Sequence, residues 1–224
     1  MIAARGETYL FVAVKPYRLI TFAAVLAAPL PLFAGSGWKQ DRSVDGLSVE
    51  WREVQDSPFH EYRITTQSKL PLEKLCHAVW GKDAKVAGDF KKRVVIKETD
   101  NERWTYEQVG VPLVKDRDCL MHVTLVKPAD TGSCEVKFET TTHPDYPPDP
   151  NFVRVPAVRG YWTLNPVREG YVSVTYVVYS EPGGAVPALF ARGGQRDAAV
   201  GFMKTILARA DARSDEASPQ RETQ

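Results

Sequence analysis

The chain has 224 residues, 29 Lys and Arg against 28 Asp and Glu, 43% apolar residues and 3 Cys. That length holds one substantial domain or two very small ones, and the composition excludes a disordered or low-complexity chain. The balanced charge leaves no basic excess for nucleic acid, and three cysteines do not make a disulfide-rich scaffold.

Lys15 and Arg18 precede an apolar run, Leu19 to Phe33, that ends in Ala34, Gly35 and Ser36. Basic, apolar and small residues in this order describe a secretory signal peptide over residues 1–34. The run is shorter than the roughly 20 residues a spanning helix needs, and Pro29 and Pro31 lie inside it. An uncleaved amino-terminal anchor is the competing reading. Export to the periplasm or the exterior would permit disulfides. Cys119 and Cys134 flank a hairpin turn centred near Asp130 and Thr131, and in that register Cys134 faces Lys127. The pair is therefore expected not to bridge, and all three cysteines, Cys76 included, read as free buried thiols.

Leu47, Val49 and Trp51 alternate with polar neighbours, as do Tyr62, Ile64 and Thr66, so both stretches read as strands. Pro71 opens a helix over residues 72–80 that stops at Gly81. Strands are expected at 93–98, 102–109, 117–127 and 134–142. Two more, 153–164 and 171–180, follow a proline-rich break, with connections short enough for antiparallel hairpins. From Pro187 to about Ala212 the period changes. Ala199, Met203, Ile206 and Ala210 recur at helical spacing, giving an amphipathic helix of up to about 39 Å. Gly193-Gly194 predicts a bend or a separate first turn there, and residues 213–224 read as a polar, frayed tail. Seven to eight antiparallel strands closed by one long helix make an α+β fold. The periodicity fits a packed core and a cavity equally well.

The usual signatures of chemistry are absent. There is no Gly-rich phosphate loop, no nucleophile elbow and no helical histidine pair, so neither a cofactor nor a metal is expected. His143 with Asp145 is a weak metal hint set against a solvated loop histidine.

Three stretches in fixed order resemble the START family of lipid-transfer domains. They are Gly46-Leu47-Ser48-Val49 leading to Ser57-Pro58; Trp104-Thr105-Tyr106-Glu107, then Val111-Pro112-Leu113-Val114 and Asp116-Arg117-Asp118; and Gly160-Tyr161-Trp162-Thr163-Leu164-Asn165-Pro166, then Val174-Thr175-Tyr176 and Glu181 to Pro187. The resemblance spans residues 38–212. It implies a helix-grip fold, in which a curved antiparallel sheet wraps the carboxy-terminal helix around an apolar tunnel for one lipid. It also implies a monomer that holds a lipid or other hydrophobic small molecule, touches membranes transiently and serves lipid transfer or sensing.

Within that frame Arg117, Asp118 and Glu107 are candidates for the polar end of the tunnel, each against a plain reading as a solvated turn or strand residue. Tyr106 shares with Trp104 the face opposite Glu107 and is a weaker ligand contact than core residue. The loop His143 to Asn151 corresponds in position to a lid, which would put Tyr146 and Phe152 near the mouth; a stiff surface loop is the alternative. Met203 and Ile206 are expected to face the sheet and line or close the tunnel. The runner-up function is a helix-grip enzyme of the polyketide aromatase/cyclase type, using Arg117, Glu107 and His122 for proton transfer.

Overall fold

The computed structural model describes residues 37–81, 90–110, 114–168, 170–184 and 188–216, the last without the side chains of 188–191 and 213–216. The expected leader, Val111 to Leu113, Pro187 and residues 217–224 lie outside the described residues.

The strands are β1 (Lys39–Gln40), β2 (Ser48–Glu53), β3 (His60–Ser68), β4 (Phe90–Glu98), β5 (Glu102–Val109), β6 (Arg117–Lys127), β7 (Cys134–Thr140), β8 (Val153–Arg154), β9 (Ala157–Arg168) and β10 (Tyr171–Glu181). The helices are α1 (Leu72–Trp80), between β3 and β4, and α2 (Ala188–Glu216), after β10. One sheet runs in the order β1-β2-β3-β10-β9-β7-β6-β5-β4. This is the α+β helix-grip arrangement.

The stretch expected as one strand over 153–164 is two. β8 pairs parallel with β6 through Arg117↔Val153 and Asp118↔Arg154, and β9 begins only after Pro156. Proline lacks the N–H that a continuous ladder requires.

Alternation sorts the side chains onto two faces. A single row crosses the sheet as Val49, Ile64, Tyr176, Trp162, Val136 and Leu125. The first five are buried, Val49 and Ile64 completely. This row marks the inner face, against which the helices lie. α1 packs on β7 and β9, α2 packs on β3 and β10, and the two helices touch each other. Leu72, Leu75, Cys76 and Ala78 of α1 are buried, a helical spacing that turns one stripe inward. Met203 (0% exposed) and Ile206 (2%) of α2 join the same apolar cluster, each burial contributing about 1.5–3 kcal/mol. The rings of Trp162 and Tyr176 stack at 4.2 Å, with Phe202 of α2 at 5.9 and 5.6 Å from them.

Two expectations are corrected. Cys76 and Cys134 form a disulfide across 58 residues, joining α1 to the first residue of β7, and only Cys119 is a free thiol among the described residues. Cys134 lies on the helix-facing side, so its partner comes from α1 and not from its own hairpin. Second, α2 continues unbroken through Gly193 and Gly194. A Cβ at either position would meet nothing within 4 Å, so these glycines serve no close approach. Their helix-propensity cost is small beside the burial of the helix. Gly160 is different: a Cβ there would sit 2.5 Å from the Phe138 ring and 2.0 Å from the Val177 carbonyl.

Candidate functional site

The inner face is divided. Its β2, β3, β10, β9 and β7 part is the apolar core. The β4–β6 wing adds polar groups to the apolar Met121 and Val123 of the same face. The registers Glu107↔Cys119 and Val109↔Arg117, with Arg93↔Glu107, place Arg93, Thr105, Glu107, Cys119 and Arg117 on this inner side. The apolar Val95 lies on the same side and is 49% exposed.

Glu107 is 5% exposed. Its Oε1 accepts from Arg93 Nε at 2.7 Å and from Thr105 Oγ1 at 3.0 Å, and its Oε2 lies 4.0 Å from Cys119 Sγ. Burial, then the nearby Glu107 and Asp118 carboxylates, push the Cys119 thiol up to about 12; it is a neutral group with no nucleophilic character near neutral pH.

Arg117 is 5% exposed. Its Nε donates to the Pro182 carbonyl at 3.4 Å and its Nη1 to the Lys115 carbonyl. Among the described residues no carboxylate reaches it. Neither Glu107 nor Asp118 is its partner, as the sequence suggested: Glu107 belongs to Arg93, and Asp118 points the other way. A guanidinium keeps its charge when buried, and a buried charge without a counter-ion is costly.

Asp118, Tyr106 and Tyr146 lie on the outer face, away from Glu107, Arg117, Met203 and Ile206. Asp118, fully buried, takes a bidentate pair from Arg154 at 3.0 and 2.7 Å. Arg154 also donates to the carbonyls of Tyr146 and Pro147, at 3.2 and 3.1 Å, and the Tyr146 ring lies 4.9 Å from Tyr106. The loop expected as a lid is thus clasped to the back of the sheet, and Tyr146 is not at a mouth on the inner side. Phe152 is half-buried in a turn in which its N–H donates to Asp149 O at 3.0 Å. His122 stacks on Trp104 at 4.4 Å, also on the outer face, so it does not converge with Arg117 and Glu107. His143 Nδ1 lies 3.8 Å from Asp145, and no set of three metal-ligating side chains occurs among the described residues.

Sequence reasoning missed Arg93 and Arg154, the two cations that take the carboxylates. It also missed Gln195 of α2, whose Nε2 donates to Ser180 O at 2.6 Å and Ser180 Oγ at 3.1 Å. Counting from the hairpin turn would set Val94 opposite Glu107, and the bulge between Val95 and Lys97 puts Arg93 there instead; Gln195 had no local signal.

No protein-family model matches the chain. An uncharacterized protein of Pseudomonas aeruginosa is 32% identical over 198 residues, 84% of this chain and 96% of that one. Among solved structures, a STAR-related lipid transfer protein fragment from Xanthomonas axonopodis matches with TM-score 0.68 and 28% identity, over 78% of this chain and 99% of that one. Human StAR-related lipid transfer protein 5 matches with TM-score 0.70 and 20% identity, over 80% and 89%.

Proposed function

We propose that this chain, which belongs to the START family of lipid-transfer domains, holds one hydrophobic ligand against the inner face of the β4–β6 wing, for lipid transfer or sensing. The polar end of the ligand meets Arg117. The observation that carries this reading is the buried Arg117 guanidinium, bonded to carbonyls and to no carboxylate among the described residues. An anionic or strongly accepting headgroup supplies the missing partner. Each CH₂ of the ligand that leaves water contributes about 0.8 kcal/mol, so the chains provide affinity and Arg117 provides orientation. No covalent step is needed.

The proposal includes export to the periplasm or beyond and transient contact with a membrane. The Cys76–Cys134 disulfide supports export, because such bonds persist in oxidising compartments and are rare in reducing ones.

Native mass spectrometry and organic extraction of the purified protein test the reading. A co-purifying lipid, or uptake of one lipid per chain from vesicles, is expected. Arg117→Met should lower occupancy more than it lowers the melting midpoint. A protein that carries no lipid and takes none up refutes the proposal, and recovery of a chemically altered ligand favours the cyclase-type alternative.

A further inference from the structure

The end of β10 is bracketed by two polar groups whose bonding is incomplete among the described residues. On one side, Arg117 Nε donates to Pro182 O. Its Nη2 faces Gly184, where even an added Cβ would remain 3.9 Å away, so no side chain of that residue covers it. On the other side stands Gln195 of α2. Its Nε2 is fixed by the Ser180 carbonyl at 2.6 Å, an acceptor only, so the amide cannot turn round without setting oxygen against oxygen. Its Oε1 is therefore the free end, and that atom is buried with no hydrogen-bond partner among the described residues. Buried acceptors of this kind are rare and costly to leave unpaired.

The two groups lie close together. Ser180 and Pro182 are two residues apart at a strand end, so about 7 Å of extended backbone separates the carbonyls they hold. Alternation from Tyr176 puts Ser180 on the inner face, the face that also carries Arg117. A donor array with spare capacity and an orphan acceptor are thus held to carbonyls two residues apart at one strand end.

We infer that Arg117 and Gln195 form a two-point headgroup site selecting a lipid that carries both an anionic group and, a few bonds away, a hydroxyl or N–H donor. This rests on the ligand-binding reading above and makes it specific. The anion sits at Arg117, and the donor satisfies Gln195 Oε1. A headgroup with an anion but no donor leaves the amide oxygen unpaired, and one with a donor but no anion leaves Arg117 without its counter-charge.

The test uses the purified chain and three probes in neutral carrier vesicles: dioleoyl phosphatidylglycerol, with phosphate and hydroxyls; dioleoyl phosphatidylcholine, with phosphate and no donor; and dioleoylglycerol, with a hydroxyl and no charge. Phosphatidylglycerol should bind about tenfold more tightly than phosphatidylcholine, the size of one satisfied buried acceptor. Gln195→Leu should abolish that preference by weakening phosphatidylglycerol while leaving phosphatidylcholine unchanged. Arg117→Met should weaken both phospholipids and leave dioleoylglycerol unchanged. If Gln195→Leu does not fold, as judged by its thermal transition, the near-isosteric Gln195→Met takes its place, and the wild-type ratio stands as a test by itself. Equal affinities for the two phospholipids, or a preference that survives loss of Gln195, overturn the two-point site and leave the ligand-binding reading intact. Failure to bind any of the three overturns both.

Discussion

Breaking the Cys76–Cys134 bond releases a loop spanning a sequence separation of 58. In the chain-entropy account, a cross-link over that separation removes conformations from the unfolded chain worth about 4 kcal/mol. For a domain of this size each kcal/mol moves the melting midpoint by about 2–4 °C, so the reduced protein should melt about 10 °C lower. The bonded residues are 6% and 1% exposed, so reductant reaches them only after local opening, and reduction should be done in denaturant before refolding. Thiol titration in denaturant should count one group, Cys119, before reduction and three after. The effect acts through the unfolded state, so the urea m-value should rise when the bond is broken, as the freed chain exposes more surface. Comparing oxidised with reduced wild type keeps the core volume constant, which a Cys76→Ala/Cys134→Ala variant does not. Coincident melting curves, or three free thiols without reduction, would refute this reasoning.

Met203→Asp places a carboxylate where the side chain is fully buried, which costs several kcal/mol; an unchanged melting midpoint would show that this stripe of α2 does not face the sheet. Gly194→Ala adds a methyl group to an exposed helical position that meets nothing within 4 Å. It should gain up to about 1 kcal/mol in urea unfolding, and a lowered midpoint would contradict the regular helix. The Cys119 thiol is raised from 9.0 to about 12 in the folded chain, chiefly by burial. The unfolded chain therefore releases this proton first, so the contribution is complete below about pH 9 and is lost as pH rises toward 12. Cys119→Ala should flatten that alkaline slope, and native Cys119 should resist iodoacetamide at pH 8; rapid alkylation of the folded protein would overturn the assignment.

How far the sequence could be read depended on what kind of interaction set each feature. Helix α1 and strands β5 and β6 follow from local pattern and stop signals, Pro71 and Gly81 among them, and their predicted bounds match the structure. Partnerships across strands were lost at β-bulges. Between Val95 and Lys97 the β4–β5 register shifts by one residue, which decides whether Arg93 or Val94 stands opposite Glu107. Between Leu125 and Lys127 a second shift moves the β6–β7 register, so the partner assigned to Cys134 by counting from the turn was wrong. One residue reverses the face of everything beyond it, and nothing in the local composition announces the slip. Arg154 and Gln195 were invisible for another reason. They meet Asp118 and Ser180 through the return of β8 beside β6 and of α2 over β10, contacts that exist only once the chain has closed.

The split inner face has a consequence for how such a protein diversifies. Its cohesion is concentrated where α1 and α2 press on β2, β3, β10, β9 and β7, while Arg93, Glu107 and Arg117 stand on the other wing. None of these three belongs to the apolar cluster, so exchanging one opens no void in it, and its cost falls on the charges left behind. The asymmetry of the Arg93–Glu107 pair sharpens this. The Arg93 side chain is 27% exposed and that of Glu107 7%, so a lineage that lost Glu107 first would leave a cation able to turn toward water. One that lost Arg93 first would strand a buried carboxylate. A change at this pair therefore has a preferred order: Glu107 gives way before Arg93 does.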